Sequence, residues 1–319
     1  MKLNSLSTTL TALTVAAILD LLGVAKPAAA ATINLIGLTD NNTLVSFNLD
    51  SPTSTSSVGV TGVDGTLLGI DFRSANSLLY GFTNTNKLYT IDPTTGAATF
   101  VSTLSVPFNG GVLTGVDFNP AADRLRLVDT NDQNFRLNVD NGAVADFDAA
   151  TPGIQPDLPL AYATGDANFG ISPNITAAAY TNAFAGPATP AGVTPPTRTT
   201  QLFGIDYILD TLVLQNPPNN GVLTTIGSLG IDFGPTGGFD IFSPSSGVNT
   251  AFAASGSNLY TINLSTGAAT TLGTIGNGNS NIIGLAATSV PEPGTVGSLI
   301  GFGVLGLLGR CRRRIKSPI

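Results

Sequence analysis

Three aspartates recur at matching positions of a repeated sequence element, and they are the side chains best suited to chemistry. Asp71 lies in the run Leu-Gly-Ile-Asp-Phe, Asp117 in Thr-Gly-Val-Asp-Phe and, more loosely, Asp240 in Gly-Phe-Asp-Ile-Phe. If the strands that carry them meet at a common centre, their carboxylates could bind Ca²⁺, which prefers oxygen ligands. The alternative is that each aspartate satisfies turn or strand backbone groups within its own blade, and we favour it because repeated units repeat their structural residues.

Composition excludes most other catalytic sites. The 319 residues include no histidine, so Ser-His-Asp catalysis, Cys-His catalysis and histidine-bound zinc are ruled out. The single cysteine, Cys311, lies in a basic segment near the end of the sequence, so the region before it has neither a disulfide nor a thiol nucleophile. No phosphate-binding loop with a lysine is present, and nucleotide binding has no support.

Two looser groups of residues suggest binding. The six tyrosines could offer aromatic surface to a sugar, although those in repeated hairpins are expected to pack between blades. They are Tyr80, Tyr89, Tyr162, Tyr180, Tyr207 and Tyr260. An acidic segment could form a second cation site, but its spacing fits no EF-hand and we expect a solvated loop. Its aspartates are Asp146, Asp148, Asp157 and Asp166.

The region from residue 32 to residue 289 is strongly acidic. It contains six basic residues and 18 aspartates, because Asp20 and Glu292 are the only acidic residues outside it, and its net charge is −12. Such a domain repels phosphate backbones, so we expect no nucleic acid partner. An extracellular polysaccharide or protein remains as the expected kind of ligand.

Internal repetition predicts an all-β architecture. The hairpin pattern of Leu88–Thr99 returns at Leu259–Thr270, each time as a strand, a turn with glycine and a second strand. The aspartate-bearing elements and these hairpins together have the spacing expected of repeated units of four strands. The prediction is a five-bladed β-propeller, while a β-sandwich or β-solenoid would suit the same alternation of apolar residues.

Four of the predicted blades are continuous in sequence. They cover residues 67–104, 113–147, 175–228 and 238–272, and the third contains a long proline-rich excursion at 184–200. The fifth combines a last strand at 282–286 with three first strands at 33–38, 44–49 and 57–60. Pairing the last strand with the first ones would close the ring and remove free strand edges.

Both ends of the sequence predict export. Lys2, an apolar stretch and small residues form the three-part pattern of a signal peptide over residues 1–31, with cleavage by signal peptidase near Ala30 and Ala31. At the other end, residues 295–309 are uncharged, and a basic cluster follows them. The cluster contains Arg310, Arg312, Arg313 and Arg314. We predict a short hydrophobic helix that anchors the chain in a membrane, with the domain outside the cytoplasm.

A Val-Pro-Glu-Pro segment before the predicted anchor completes a three-part tail. With Pro291, Glu292 and Pro293, a short apolar helix and an arginine cluster in order, residues 290–319 resemble the PEP-CTERM signal of bacterial surface proteins. The resemblance implies recognition by an exosortase, a membrane enzyme that cuts near Pro-Glu-Pro and releases or transfers the protein outward. An ordinary single-span anchor with a proline-rich linker is the alternative.

Most of residues 32–289 also resembles a known family. The motifs are Tyr-Ala-Thr-Gly-Asp-Ala-Asn at 162–168, Ala-Ala-Ala-Tyr-Thr-Asn at 177–182, Leu-Phe-Gly-Ile-Asp at 202–206, Leu-Val-Leu-Gln-Asn-Pro-Pro at 212–218 and Gly-Ser-Leu-Gly at 227–230. They are similar to those of the secreted family catalogued as domain of unknown function 4394. The resemblance implies a propeller-like exported domain and no known reaction.

Together the patterns predict a signal peptide at 1–31, a propeller-like domain at 32–289 and a sorting tail at 290–319. The leading hypothesis is a non-enzymatic surface or extracellular-matrix protein, anchored in the membrane transiently, whose propeller is a binding or structural module. The second hypothesis is a Ca²⁺-dependent hydrolase in which Asp71, Asp117 and Asp240 hold the ion. Neither hypothesis names a ligand.

Overall fold

Strands form nearly all of the regular structure. The computed structural model describes residues 32–111, 113–185 and 198–290, and the one helix among them is a single 3₁₀ turn, Pro218–Asn220. The strands in chain order are β1 (Thr32–Thr39), β2 (Thr43–Asn48), β3 (Ser51–Gly59), β4 (Leu67–Arg73), β5 (Leu78–Thr83), β6 (Lys87–Ile91), β7 (Ala98–Thr103), β8 (Thr114–Asn119), β9 (Arg124–Asp129), β10 (Asn134–Leu137), β11 (Ala161–Tyr162), β12 (Ile175–Tyr180), β13 (Leu202–Asp206), β14 (Thr211–Gln215), β15 (Val222–Ser228), β16 (Gly237–Ser245), β17 (Val248–Ser255), β18 (Asn258–Ile262), β19 (Ala269–Thr274) and β20 (Ile282–Val290).

These strands form five sheets arranged as a closed ring. Blade 1 is β4–β7, blade 2 is β8–β10, blade 3 is β12–β15 with β11 added at its outer edge, blade 4 is β16–β19, and blade 5 is β20 with β1–β3. The innermost strands β4, β8, β12, β16 and β20 contact one another in that order, and β20 also contacts β4. The prediction of a five-bladed propeller is therefore confirmed. The predicted C-terminal helix lies outside the described residues.

Blade 5 closes the ring through its own hydrogen bonds. β20 pairs with β1 in antiparallel register from Thr32 opposite Val290 to Thr39 opposite Ile282. One strand from the end of the domain thus joins three strands from its beginning, as the sequence predicts. Closure leaves no innermost strand without a neighbour on the ring.

The core is divided among the five interfaces between neighbouring blades. Each interface has its own buried apolar cluster: Phe82 and Phe118 pack between blades 1 and 2, for example, and Leu35 and Phe252 between blades 4 and 5. Since each sheet is covered on both faces, its central strands contain long runs of buried residues. β12, with the sequence Ile-Thr-Ala-Ala-Ala-Tyr, is buried at all six positions.

Blade 2 departs from the predicted four strands. Where a fourth strand was expected before residue 147, the chain makes only a single bridge, between Val144 and Leu137. It then leaves the sheet in a loop closed by a hydrogen bond from Phe147 N–H to the carbonyl of Gln155. Three prolines between Phe147 and residue 161, Pro152, Pro156 and Pro159, have no N–H to give to a sheet. The chain rejoins a sheet as β11, parallel to β15 of blade 3.

Small residues allow the innermost strands to approach closely at the centre. A Cβ atom added to Gly238 of β16 would lie 2.5 Å from the carbonyl carbon of Gly284 and also against the amide nitrogen of Leu285, both on β20. Because the obstructing atoms belong to the backbone of the neighbouring blade, no side-chain movement can relieve this contact.

We predict that Gly238→Ala lowers the free energy of unfolding by about 1–3 kcal/mol, because overpacking forces two strands apart. Gly59→Ala is the matched control, since no heavy atom lies within 4 Å of its added Cβ, and it should change stability by less than about 0.5 kcal/mol. Urea unfolding of the two variants measures both values. Equal stability of the two variants would contradict close packing of the innermost strands at the centre of the propeller.

Candidate functional site

The innermost strands bring the three sequence-predicted aspartates together at the centre of the propeller, which we call the hub. Asp71 on β4, Asp117 on β8 and Asp240 on β16 each offer a carboxylate oxygen within 4.8 Å of the others. Their exposed fractions are 6%, 2% and 5%. We call these three side chains the carboxylate ring. Three carboxylates this close could bind a divalent cation, so their other contacts decide how to interpret them.

Each carboxylate of the ring reaches across to the next blade. Asp71 Oδ2 accepts a 2.7 Å hydrogen bond from the backbone N–H of Phe118. Asp117 Oδ1 accepts one of 3.0 Å from Tyr180, and Asp240 Oδ2 accepts one of 2.6 Å from Ala287. The aspartates therefore join blade 1 to blade 2, blade 2 to blade 3 and blade 4 to blade 5. The expectation that each aspartate serves only its own blade was wrong.

Blades 3 and 5 carry no aspartate at the position that Asp71, Asp117 and Asp240 occupy on the other three blades. Phe118 directly follows Asp117, so Tyr180 and Ala287 identify their own predecessors, Ala179 and Ala286, as the counterparts of the aspartates on β12 and β20. Alanine has no acceptor to offer to the next blade. The hub therefore reads Asp, Asp, Ala, Asp, Ala around the five blades.

Blades 3 and 5, which carry the alanines, offer no acceptor to the N–H group of the blade that follows each of them. In those following blades, the second oxygen of the blade's own aspartate accepts that N–H group instead. Asp71 Oδ1 accepts a 2.6 Å hydrogen bond from the N–H of its neighbour Phe72, and Asp240 Oδ1 does the same for Ile241. Three carboxylates thus satisfy five backbone N–H groups with five of their six oxygens. Among the described residues, no donor contacts the sixth oxygen, Asp117 Oδ2.

Little free space remains at the hub. A small cavity lined by the innermost strands, from Gly69 on β4 to Leu285 on β20, has a volume of about 10 Å³, roughly the requirement of one water molecule. In the described part of the chain, no arginine or lysine forms an ion pair with the ring. The aspartates therefore have donors for their oxygens but no neutralising cation from the protein.

Burial without a cation disfavours ionisation. Desolvation raises the pKa of Asp240 to about 7. Desolvation, followed by the negative charge of Asp240, raises the pKa of Asp71 well above its usual value. The pKa of Asp117 is raised by desolvation and then by the charges of Asp71 and Asp240. The ring therefore retains protons at pH values where exposed aspartates are fully ionised.

A second buried polar cluster lies between blades 2 and 3, and the sequence did not predict it. Arg126, 1% exposed, donates to Asp157 at 2.7 Å, to Asn134 at 2.7 Å and to the hydroxyl of Tyr180 at 3.2 Å. Arg136 also donates to Asp157. The expectation that Asp157 belongs to a solvated loop was wrong, because two arginines hold it in the interior. The other three aspartates of that segment do not join it.

The tyrosines do not form the aromatic surface that the sequence suggested. All except the half-buried Tyr207 are buried. Their hydroxyl groups are used internally: Tyr162 donates to Asp206 at 2.7 Å, and Tyr80 accepts from Arg73. Buried tyrosine normally needs such a partner, so these residues serve packing. Tyr89 and Tyr260 lie in interblade clusters, as predicted for the repeated hairpins.

The predicted processing residues lie outside the described residues. They are Ala30, Ala31, Pro291, Glu292, Pro293, Arg310, Arg312, Arg313 and Arg314. The predicted anchor at 295–309 lies outside them as well. No helix in residues 32–111, 113–185 or 198–290 has the length and apolar character that crossing a membrane requires.

The unequal use of oxygens in the ring gives a test with two matched variants. Asp117→Asn keeps the one acceptor that Tyr180 needs and removes a buried charge, whereas Asp240→Asn loses one of two acceptors in use. At pH 4 we expect Asp117→Asn to match the wild type and Asp240→Asn to be less stable by about 1–3 kcal/mol, the cost of an unsatisfied buried N–H group. At pH 7.5 Asp117→Asn should be more stable than the wild type by about 1–3 kcal/mol.

The wild-type protein should lose stability as the pH rises from about 4 to about 7. Raised pKa values mean that the folded state binds more protons than the unfolded state in this window, so unfolding becomes easier as the protons leave. Chemical unfolding at several pH values, in the presence of a chelator, measures the slope. Stability that increases steadily over this window, or an Asp117→Asn variant that is destabilised at both pH values, would contradict a protonated ring.

Comparison with known proteins agrees with the sequence motifs. The profile of the PEP-CTERM protein-sorting motif matches residues 289–314, which indicates an exported protein that an exosortase sorts. No curated protein matches the chain.

Several solved structures are similar in fold at low identity. One is the computationally designed Ika8 protein, with 10% identity, 78% of this chain and 64% of that chain covered, and a TM-score of 0.33. An auxiliary nutrient binding protein from Bacteroides ovatus has 12% identity, with 72% of this chain and 56% of that chain covered and a TM-score of 0.36. YCF48 bound to D1 peptide has 13% identity, with 72% of this chain and 60% of that chain covered and a TM-score of 0.32. The chain spans less than two thirds of the length of each of these proteins.

The profile of the family described as domain of unknown function (DUF4394) matches residues 43–286. This range contains nearly all of the propeller, including the carboxylate ring and the buried Arg126–Asp157 cluster, and it is well over half of the 319 residues. The chain is therefore a member of the DUF4394 family.

Proposed function

We propose that the propeller is a non-enzymatic binding or structural module of the cell surface or the extracellular matrix. One observation carries the proposal: the residues best suited to chemistry are committed to holding the blades together. Five of the six oxygens in the carboxylate ring accept backbone N–H groups, one from each of the five blades. Their role follows from the requirement that buried N–H groups find acceptors.

The alternative function, a Ca²⁺-dependent hydrolase, fits this geometry poorly. Calcium takes six to eight oxygen ligands, while the ring offers one oxygen that no N–H group uses. A substrate would also need to reach the metal, and the three carboxylates are almost completely buried. A cation could occupy the ring only by displacing hydrogen bonds between blades, and a structural role would then remain the more plausible one.

The processing route follows from the sorting motif. In this proposal, signal peptidase removes residues 1–31, residues 295–309 hold the chain in the membrane for a time, and exosortase cuts near Pro291–Pro293. The propeller is then the mature product, outside the cytoplasm. Its net charge of −12 over residues 32–289 favours solubility and excludes nucleic acid by charge repulsion.

Calcium should not stabilise the protein. We expect a change of less than about 1 °C in Tm when 5 mM CaCl₂ replaces a chelator at pH 7.5, since a ligand that does not bind the folded state leaves its stability unchanged. Metal analysis of the purified protein should find no stoichiometric Ca²⁺. A rise in Tm that Asp117→Asn abolishes would show that the ring binds Ca²⁺ and would contradict this expectation.

Processing should depend on the Pro-Glu-Pro segment. Replacing Pro291, Glu292 and Pro293 with alanine should leave the protein uncut in the membrane fraction, whereas Pro318→Ala, a proline change outside the segment, should be processed normally. Immunoblots of membrane and released fractions from cells that contain an exosortase distinguish the two forms. Normal release of the triple variant would refute exosortase recognition through this segment.

A further inference from the structure

The missing fourth strand of blade 2 leaves a cleft beside that blade. On one side lies the turn between β9 and β10, and on the other lies the segment from Phe147 to Pro159 that leaves the sheet. The cleft has a volume of about 640 Å³, within the range of pockets for small ligands, about 300–1,000 Å³. We call it the blade-2 cleft. It is separate from the carboxylate ring, since none of the three aspartates of the ring lines it.

The blade-2 cleft has apolar walls that are partly exposed to solvent. Phe147 is 36% exposed and Leu158 is 42% exposed, although both are large apolar residues next to the buried Phe135. Pro156 and Pro159 complete the apolar part of the lining. Exposed aromatic and aliphatic surface inside a concave site is typical of ligand contacts rather than of a plain loop.

The polar groups of the cleft are held in place but incompletely used. Asn131 donates to Asp129, and in the described part of the chain no donor reaches Asn131 Oδ1. The amide nitrogen of the Gln155 side chain makes only a 3.5 Å contact with a carbonyl oxygen, and the Asp132 carboxylate has only the hydroxyl of Ser172 as a side-chain donor. The cleft thus offers both donors and acceptors to a ligand.

Charge limits the kind of ligand. Among the residues that the structure describes, three aspartates and no arginine or lysine line the cleft. The nearest guanidinium groups, those of Arg126 and Arg136, are occupied by Asp157. An anionic ligand would meet uncompensated negative charge, so acidic polysaccharides, nucleotides and phosphates are disfavoured.

We propose that the blade-2 cleft binds a segment of a neutral oligosaccharide, with a sugar ring against Phe147 and its hydroxyls on Asn131, Asp132 and Gln155. This inference rests on the proposed binding function and assigns a site to it. Sugar hydroxyls both donate and accept, and therefore match a mixed set of amides and a carboxylate. A purely cationic ligand donates only and would offer no acceptor to the amide donor of Gln155.

The test uses the purified full-length chain in detergent and calorimetric titration with defined probes. Cellohexaose and maltohexaose are the neutral probes, hexagalacturonate is the anionic probe and hexalysine is the cationic peptide. We expect at least one neutral probe to bind, with affinity reduced tenfold or more by Phe147→Ala and about threefold or more by Gln155→Ala. Phe100→Ala is the matched control, because this 54% exposed phenylalanine lies on β7, outside the cleft.

The outcomes separate the site from the general function. Binding of hexalysine alone would overturn the sugar assignment, and so would failure of both neutral probes to bind. Neutral binding that Phe147→Ala leaves unchanged, or that Phe100→Ala weakens equally, would overturn the location and leave a binding role intact. Shortened oligosaccharides in mass spectra after incubation would instead overturn the non-enzymatic function. Circular dichroism of each variant confirms that a loss of affinity is not a loss of folding.

Discussion

The hub of the ring imposes the constraint on which the rest of this structure depends. When five sheets meet around a centre, the inner edge of each innermost strand has no further strand to pair with, and its buried N–H groups need other acceptors. Here three carboxylates satisfy five such groups while remaining out of contact with bulk water. The apolar clusters between blades can pack closely only because this polar requirement is met at the centre.

The carboxylate ring also explains how a chain with no disulfide in its propeller can hold five separate sheets in register. Backbone pairing fixes each blade internally, but between blades the contacts are mainly apolar and not strongly directional. The aspartates add directional links at the centre, and the Arg126–Asp157 cluster adds one between blades 2 and 3. Arg73 of blade 1 bonds Asp123 and Asp140 of the neighbouring blade, further from the centre.

Sequence reasoning predicted the repeated parts of this molecule well. The five-residue runs that contain Asp71 and Asp117 share glycine, aspartate and phenylalanine. Such repeated residues allowed the blade pattern to be predicted, and they offered the meeting of the aspartates as the less favoured of two alternatives. The positions of Ala179 and Ala286 could not be matched to those of the aspartates from the sequence. An alanine can be recognised as a missing acceptor only when the N–H group that it faces on the neighbouring strand is known. For the same reason, the sequence could not show that two aspartates each serve two N–H groups.

The remaining errors have physical causes. Asp157 looks like one of several loop aspartates, and its burial depends on Arg126, 31 residues earlier in the chain, which offers a charge only after blades 2 and 3 have packed. The loss of the fourth strand in blade 2 has no local signal, because Pro152 and Pro156 follow the position before residue 147 where that strand was expected. The blade-2 cleft follows from that loss, so no local motif announces it.

The pairing of Thr32 with Val290 has a consequence for the order of events during export. In a protein that crosses the membrane from its N-terminal end, β1 to β3 emerge first. Their sheet stays incomplete until β20 emerges, after the strands of the other four blades. Ala287, whose N–H completes the contacts of Asp240, lies in the last strand to arrive. Completion of the fold and arrival of the sorting motif at residue 289 therefore nearly coincide. A cut on the N-terminal side of Ala287 would remove the end of the final strand and the N–H group that Asp240 binds.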